Sequence, residues 1–230
     1  MSFDVDLILN SVPKLLAGIG LTLQLLLLSA LFGTLLGILT CAGRLSRNPL
    51  ARWPAWLYVT LFRGTPLLVQ IFIIYYGLSQ FEWIRKSFLW TFLREPYWCA
   101  ILAFALNTGA YTGEIFRGGV QGVDKGLNEA AWALGLTRWQ RLRHVVAPIA
   151  LRLSLPAYGN DMISLLKGTA LASTITLLDV TGVARNIVAK TFAPYEIFIS
   201  AAIVYLAMTW IIQHGLALVE RRLNRPLRAA

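Results

Sequence analysis

The chain has 230 residues, a formal net charge of +10, and 57% hydrophobic against 14% charged side chains, with a mean hydropathy of +0.63; this excludes an ordinary water-soluble domain. The basic excess does not describe a nucleic-acid binder, because Lys and Arg avoid the long apolar runs and gather in the short segments between them, as membrane topology demands. Two cysteines, Cys41 and Cys99, are too few for a disulfide scaffold and have no partner at metal-like spacing.

A membrane-crossing helix takes roughly 20 mostly apolar residues. Five segments qualify, at about 15–41, 54–80, 97–117, 153–178 and 196–219, which predicts one all-α integral membrane domain over 1–230 with no internal repeat. The N-terminus opens with Asp4 and Asp6, where a cleavable signal has a basic region. In the first span Gly33 and Gly37 form a small-xxx-small pair suited to close helix packing. After it come Arg44, Arg47 and Arg52. The loop after the third span, about 124–150, carries Lys125, Arg138, Arg141 and Arg143, with Arg117 at its entry and Arg152 at its exit, and the tail carries Arg221, Arg222, Arg225 and Arg228. These fall on one side. The other side has Lys14, Arg85, Lys86, Arg94, Arg185 and Lys190, diluted by Glu82, Glu95 and Asp179. Basic loops stay in the cytoplasm, so the N-terminus is expected outside and the C-terminus inside.

Polar residues inside an apolar span are costly and face protein or water. In the third span Asn107, Tyr111 and Glu114 share one helical stripe; in the fourth, Asn160, Ser164 and Lys167 do so, with Asp161 on the shoulder. The stripes are expected to line one cavity. For Tyr111 and Ser164, interhelical hydrogen bonding and ligand contact both stay open. Arg63 and Lys167 read as structural, pairing with Glu114. Asp161, beside an amide, suits a bidentate pair with a guanidinium, the alternative being a salt bridge to Lys167 or Arg63. His144 and His214 stand alone, so no metal site is expected.

The loop reads NEAAWALGLTRWQRLRHVVAP over 128–148. Asn128 can cap a helix starting at Glu129, Gly135 permits a left-handed turn that ends it, and a second helical run through Trp139 closes at Pro148. Such a segment either lies on the membrane surface or meets a soluble partner.

Three motifs resolve that choice by resemblance. Glu129-Ala130-Ala131, then Gly135, then Val145-Val146-Ala147-Pro148 resembles the EAA loop of bacterial ABC importer permeases, with Val145 and Ala147 in place of the usual Ile and Leu. Arg63-Gly64-Thr65-Pro66-Leu67-Leu68-Val69-Gln70 is similar to the RGTPLLVQ signature of the polar-amino-acid subfamily. Ala110-Tyr111-Thr112-Gly113-Glu114-Ile115-Phe116-Arg117-Gly118 is similar to its AYxxExxRG segment. Residues 60–81 and 99–112 resemble M-type permease subunits of arginine importers. The resemblance implies a type I ABC importer permease fold with five transmembrane helices. In it Glu129, Ala130, Ala131, Gly135 and Arg138 form a coupling helix docked on the ATPase, and Arg63, Gly64, Thr65, Pro66 and Lys167 are structural. It also implies the bacterial inner membrane, a basic amino acid such as arginine as substrate, two ATPase subunits, a second permease subunit (a copy or a Q-type relative) and a periplasmic solute-binding protein. Histidine, lysine, ornithine and opine importers are similar enough to leave the ligand open. ATP and Mg belong to the partner, since Lys167-Gly168-Thr169 lacks the glycine-rich lead of a phosphate loop. A membrane enzyme would need a nucleophile with its base, and a secondary transporter usually shows a repeat; neither pattern is present.

Overall fold

The computed structural model describes residues 5–223. Asp4 of the N-terminal segment and Arg225 and Arg228 of the basic tail lie outside the described residues. Within them every regular element is helical. Helix α1 (Val5–Ala17) runs into α2 (Ile19–Leu45), followed by α3 (Pro49–Gly64) and α4 (Leu67–Phe72), which continues as a π turn (Ile73–Gly77) and a 3₁₀ turn (Leu78–Gln80). Short helices α5 (Glu82–Arg85) and α6 (Trp90–Leu93) lead to α7 (Pro96–Gln121). Then come α8 (Lys125–Ala133) and α9 (Arg138–Arg141), a π turn (Leu142–Val146), α10 (Ala147–Gly168), a 3₁₀ stretch (Thr169–Ile175), α11 (Val180–Thr191) and α12 (Pro194–Leu223).

Over residues 27–41 the packing of α2 inverts that of a soluble bundle. On α2, Leu27, Leu31, Leu35 and Leu39 repeat every fourth residue and are 53% to 69% exposed, while Ser29, Gly33, Gly37 and Cys41 on the opposite face are buried. In lipid a leucine gains nothing by leaving the surface, so small residues take the helix contact and let backbones approach. A Cβ on Gly33 would lie 2.9 Å from Thr108 Cβ, and one on Gly37 2.8 Å from Thr112 Cγ2. From α7 the seam is reciprocated: a Cβ on Gly109 would meet Leu36 Cβ at 2.9 Å, and one on Gly113 would meet Thr40 Cβ at 2.9 Å. The expected Gly33/Gly37 pair is therefore half of a seam whose other half is Gly109 and Gly113. Gly37→Leu should force α2 off α7 and cost about 1–3 kcal/mol or more. Gly20→Leu, on the same helix but with open space around its Cβ position, should melt like wild type in detergent; equal melting of the two variants would refute the seam.

Among the described residues, two helical stretches are long and apolar enough to cross a membrane unbroken, Asp6–Leu45 and Pro194–Arg222, and two bent pairs raise the number to four. The expected second span is no straight rod, because Pro49–Gly64 and Leu67–Gln80 meet at 108°. Pro66 disfavours the helical region for the residue before it, and Thr65 is extended at φ −117°, ψ 146°. The expected fourth span starts earlier than about 153, with α10 at Ala147, and bends by 47° into α11.

Helix α11 occupies what the sequence reading left as an outer loop. Asp179, read there as a diluting surface charge, is fully buried. It caps α11 by accepting from Gly182 N at 3.0 Å and Thr181 N at 3.1 Å, and it accepts from Tyr205 Oη of α12 at 3.0 Å. The expected third span, α7, has 26 residues but is not among the candidates counted above. It occupies the centre of the bundle against α2, α3, α4 and α10, so it can carry glycines and polar side chains that a lipid-facing helix would not.

Candidate functional site

The site begins at the break between α3 and α4. The last carbonyls of a helix have no partner within it, and here a side chain from the next helix supplies one. Gln70, buried on α4, turns back so that Nε2 is shared among Phe62 O at 2.9 Å, Thr65 O at 3.1 Å and Thr65 Oγ1 at 2.8 Å. Asn107 of α7 adds bonds from Nδ2 to Phe62 O at 3.2 Å and to Gln70 Oε1 at 3.0 Å. Thr65 Oγ1 donates in turn to Leu61 O at 2.7 Å. The bend is thus braced by a closed polar bracket.

Beside the bracket lies a cavity of about 390 Å³ lined by Thr65, Pro66, Asn107, Tyr111, Asp161 and Ser164 among others. The two polar stripes of the sequence do converge, though not with every member. Asp161 Oδ2 accepts from Thr112 Oγ1 at 3.1 Å, and among the described residues no ion pair reaches it from Arg63 or Lys167. Arg63 instead lies over the Tyr111 ring, 5.1 Å from its centroid, a cation–π contact. Lys167 is exposed and forms no ion pair among the described residues. Ser164 Oγ donates to Asn160 O at 3.0 Å.

Two expected members stand elsewhere. Asn160 faces a separate cavity of about 210 Å³ against α12, with Gln213 and Glu220, because adjacent residues point about 100° apart around a helix. Glu114 is clamped between Arg44 Nε at 2.9 Å and Arg117 Nη2 at 2.7 Å. This replaces its expected pairing with Arg63 or Lys167: two turns beyond Asn107, it has reached the end of the bundle where the basic residues gather. Gln70 is the residue the sequence reading did not single out, although it closes the RGTPLLVQ run.

The loop between α7 and α10 differs in detail from its expected form. Asp124, not Asn128, caps α8, its carboxylate accepting from Gly126 N at 2.6 Å. Glu129 therefore lies mid-helix and cannot act on the helix start, while Asn128 Oδ1 accepts from Arg141 Nη1 at 3.3 Å and ties α8 to α9. Gly135 has φ 77°. With Gly135 N bonded to Trp132 O at 2.9 Å and Leu136 N to Ala131 O at 3.2 Å, the helix ends in a Schellman motif. Thr137 and Gln140 then form a capping box that starts α9.

Pro148 does not close this second helix; it lies in the first turn of α10. Its missing N–H and its ring are taken up by the widened π turn just before it. The knob presents Trp132, Leu134 and Trp139 at 69%, 81% and 67% exposure, while Ala131 is buried.

An all-helical bundle with a lipid-type exterior, a polar cavity at a broken helix and a projecting two-helix knob describes a membrane transport subunit. A family model described as "binding-protein-dependent transport system inner membrane component" matches residues 31–225, and the chain belongs to that family. It is accordingly a permease component, the ATPase being a separate subunit. It is 47% identical to the nopaline transport system permease protein of Agrobacterium fabrum, over 98% of this chain and 94% of that one. It is also 40% identical to the histidine/lysine/arginine/ornithine transport system permease protein of Escherichia coli K12, over 89% of this chain and 87% of that one. A solved amino acid ABC transporter with histidines superposes with TM-score 0.86 at 35% identity, covering 96% of this chain and 100% of that chain.

Proposed function

We propose that the chain is one permease half of an importer for a cationic amino acid, arginine first, with Asp161 facing the cavity as the group that selects for charge. The observation that carries this is a carboxylate on a polar cavity with no ion pair among the described residues. Similarity to a permease for histidine, lysine, arginine and ornithine supports it. Similarity to nopaline and octopine permeases supports a second reading, an opine or another polar amino acid.

In this proposal residues 1–230 form one domain crossing the inner membrane five times, α7 being the central crossing, with the N-terminus periplasmic and the C-terminus cytoplasmic. Asn107, Tyr111, Asp161 and Ser164 line the path. The knob, through Glu129, Ala130, Ala131, Gly135 and Arg138, docks on one of two ATPases that bind ATP and Mg. A second permease subunit, a copy or a Q-type relative, completes the pathway, and a periplasmic solute-binding protein delivers the amino acid. ATP binding biases the pair between inward and outward states through differential affinity for them.

Reconstitution tests the division of labour. Vesicles holding this chain alone, with ATP on both sides and labelled arginine outside, should take up nothing; adding the ATPase, second permease and binding protein should restore ATP-dependent uptake. Uptake by the isolated chain would falsify the subunit reading.

A further inference from the structure

Arg44, Arg47 and Arg52 entered the sequence analysis only as topological signals. The structure gathers them around a cavity of about 400 Å³ whose wall is completed by Pro49, Trp53 and Trp56, and no carboxylate lines it. Arg44 is fixed through Nε on Glu114 Oε1 at 2.9 Å, and the other Glu114 oxygen is engaged by Arg117, so this one carboxylate offsets only one of two guanidinium charges. Arg47 and Arg52 are exposed and form no ion pair among the described residues. Pro49 is the first residue of the 16-residue α3, which brings the positive end of that helix beside the arginines. The surroundings are those of a bilayer edge: Leu39 and Leu50 are 69% and 83% exposed, and the Trp53 and Trp56 rings stand 6.3 Å apart.

We propose that this cavity binds the phosphate-bearing headgroup of an anionic phospholipid. Guanidinium forks pair with two phosphate oxygens at once. Indole rings settle at headgroup depth, their rings against acyl chains and their N–H toward oxygen. A soluble phosphate ester would satisfy the arginines but leave the tryptophans and exposed leucines without a role. Because Arg44 also holds α7 through Glu114, an occupied headgroup site stiffens the α2–α7 end of the bundle. The proposed topology places the site in the cytoplasmic leaflet; the preference for an anionic headgroup does not depend on that orientation.

The test titrates the full-length chain in detergent with phosphatidylglycerol, phosphatidylethanolamine or inorganic phosphate and counts bound molecules by native mass spectrometry. Phosphatidylglycerol should be retained over phosphatidylethanolamine. Arg47→Gln with Arg52→Gln should lower its retention about 25-fold, at about fivefold for each basic residue removed. Arg47→Lys with Arg52→Lys should keep part of the preference, and Arg85→Gln with Lys86→Gln should keep all of it. Unchanged thermal melting shows that the exposed-arginine variants remain folded. Equal retention of the two lipids, or full retention by the glutamine variant, would overturn the proposal. Displacement of phosphatidylglycerol by equimolar inorganic phosphate would overturn it in favour of a soluble phosphate ligand.

Discussion

Gly135→Val is expected to separate ATP hydrolysis from transport while leaving the protein in the membrane. The position has open space where a Cβ would go, so the substitution creates no clash; what it meets is φ 77°. A left-handed backbone costs an L-residue roughly 1–2 kcal/mol, and a β-branched one resists it further. That strain opens the Schellman turn and swings α8 away from α9, lowering the docked population about five- to thirtyfold. Gly135→Asn supplies the control, because asparagine tolerates this region; it should transport nearly as wild type. Glu129→Ala should be mild, since Glu129 lies mid-helix and an exposed contact is all it can lose. The measurement is substrate-stimulated ATPase and uptake, side by side, in the purified complex. A surface-anchor role for the loop forecasts the reverse, with coupling intact at Gly135 and membrane attachment upset by neutralising Arg138, Arg141 and Arg143. Normal coupling in Gly135→Val would decide for that alternative.

The loop was legible because its signals are local. A glycine after a helix-forming run reports its own backbone, and the structure has the expected turn at Gly135; the cap moves from Asn128 to Asp124, and Pro148 falls inside α10 instead of closing the second helix. Asp124 precedes a lysine and a glycine, poor advertisements for a helix start, and a better-looking cap four residues later concealed it. The 108° break was less visible for a different reason. Hydropathy averaged over a span registers apolarity and not direction, and in the sequence Pro66 reads as part of a signature instead of as a residue that disfavours helix before it. Asn107 is visible in the sequence as a polar residue in an apolar span, but its bracket with Gln70 forms only after the chain has bent, so linear spacing does not reveal it. Helix α11 escaped because its Lys, Arg and Asn residues dilute it and because its cap, Asp179, is buried by Tyr205 from another helix.

If Asp161 selects for charge as proposed, Asp161→Asn is expected to leave uptake indifferent to the charge of the substrate. Asparagine has nearly the shape of aspartate and still accepts from Thr112 Oγ1, the bond that ties α10 to α7 at 3.1 Å, so assembly should survive. What disappears is the negative charge on the cavity. A hydrogen bond to a charged group contributes about 1.5–3 kcal/mol, so arginine uptake should fall about ten- to hundredfold in rate at limiting substrate, whereas citrulline, the same length with a neutral head, should change little. Asn160→Ala serves as the neighbouring control: its side chain faces α12 and the other cavity, so it should leave the arginine-to-citrulline ratio alone. The two residues adjoin in sequence and differ by about 100° in direction, which lets one experiment distinguish a charge that meets substrate from a polar patch that joins helices. If Asp161→Asn assembles and keeps the wild-type ratio, Asp161 is the anchor of α10 on Thr112 and no more, and charge selection lies with the binding protein.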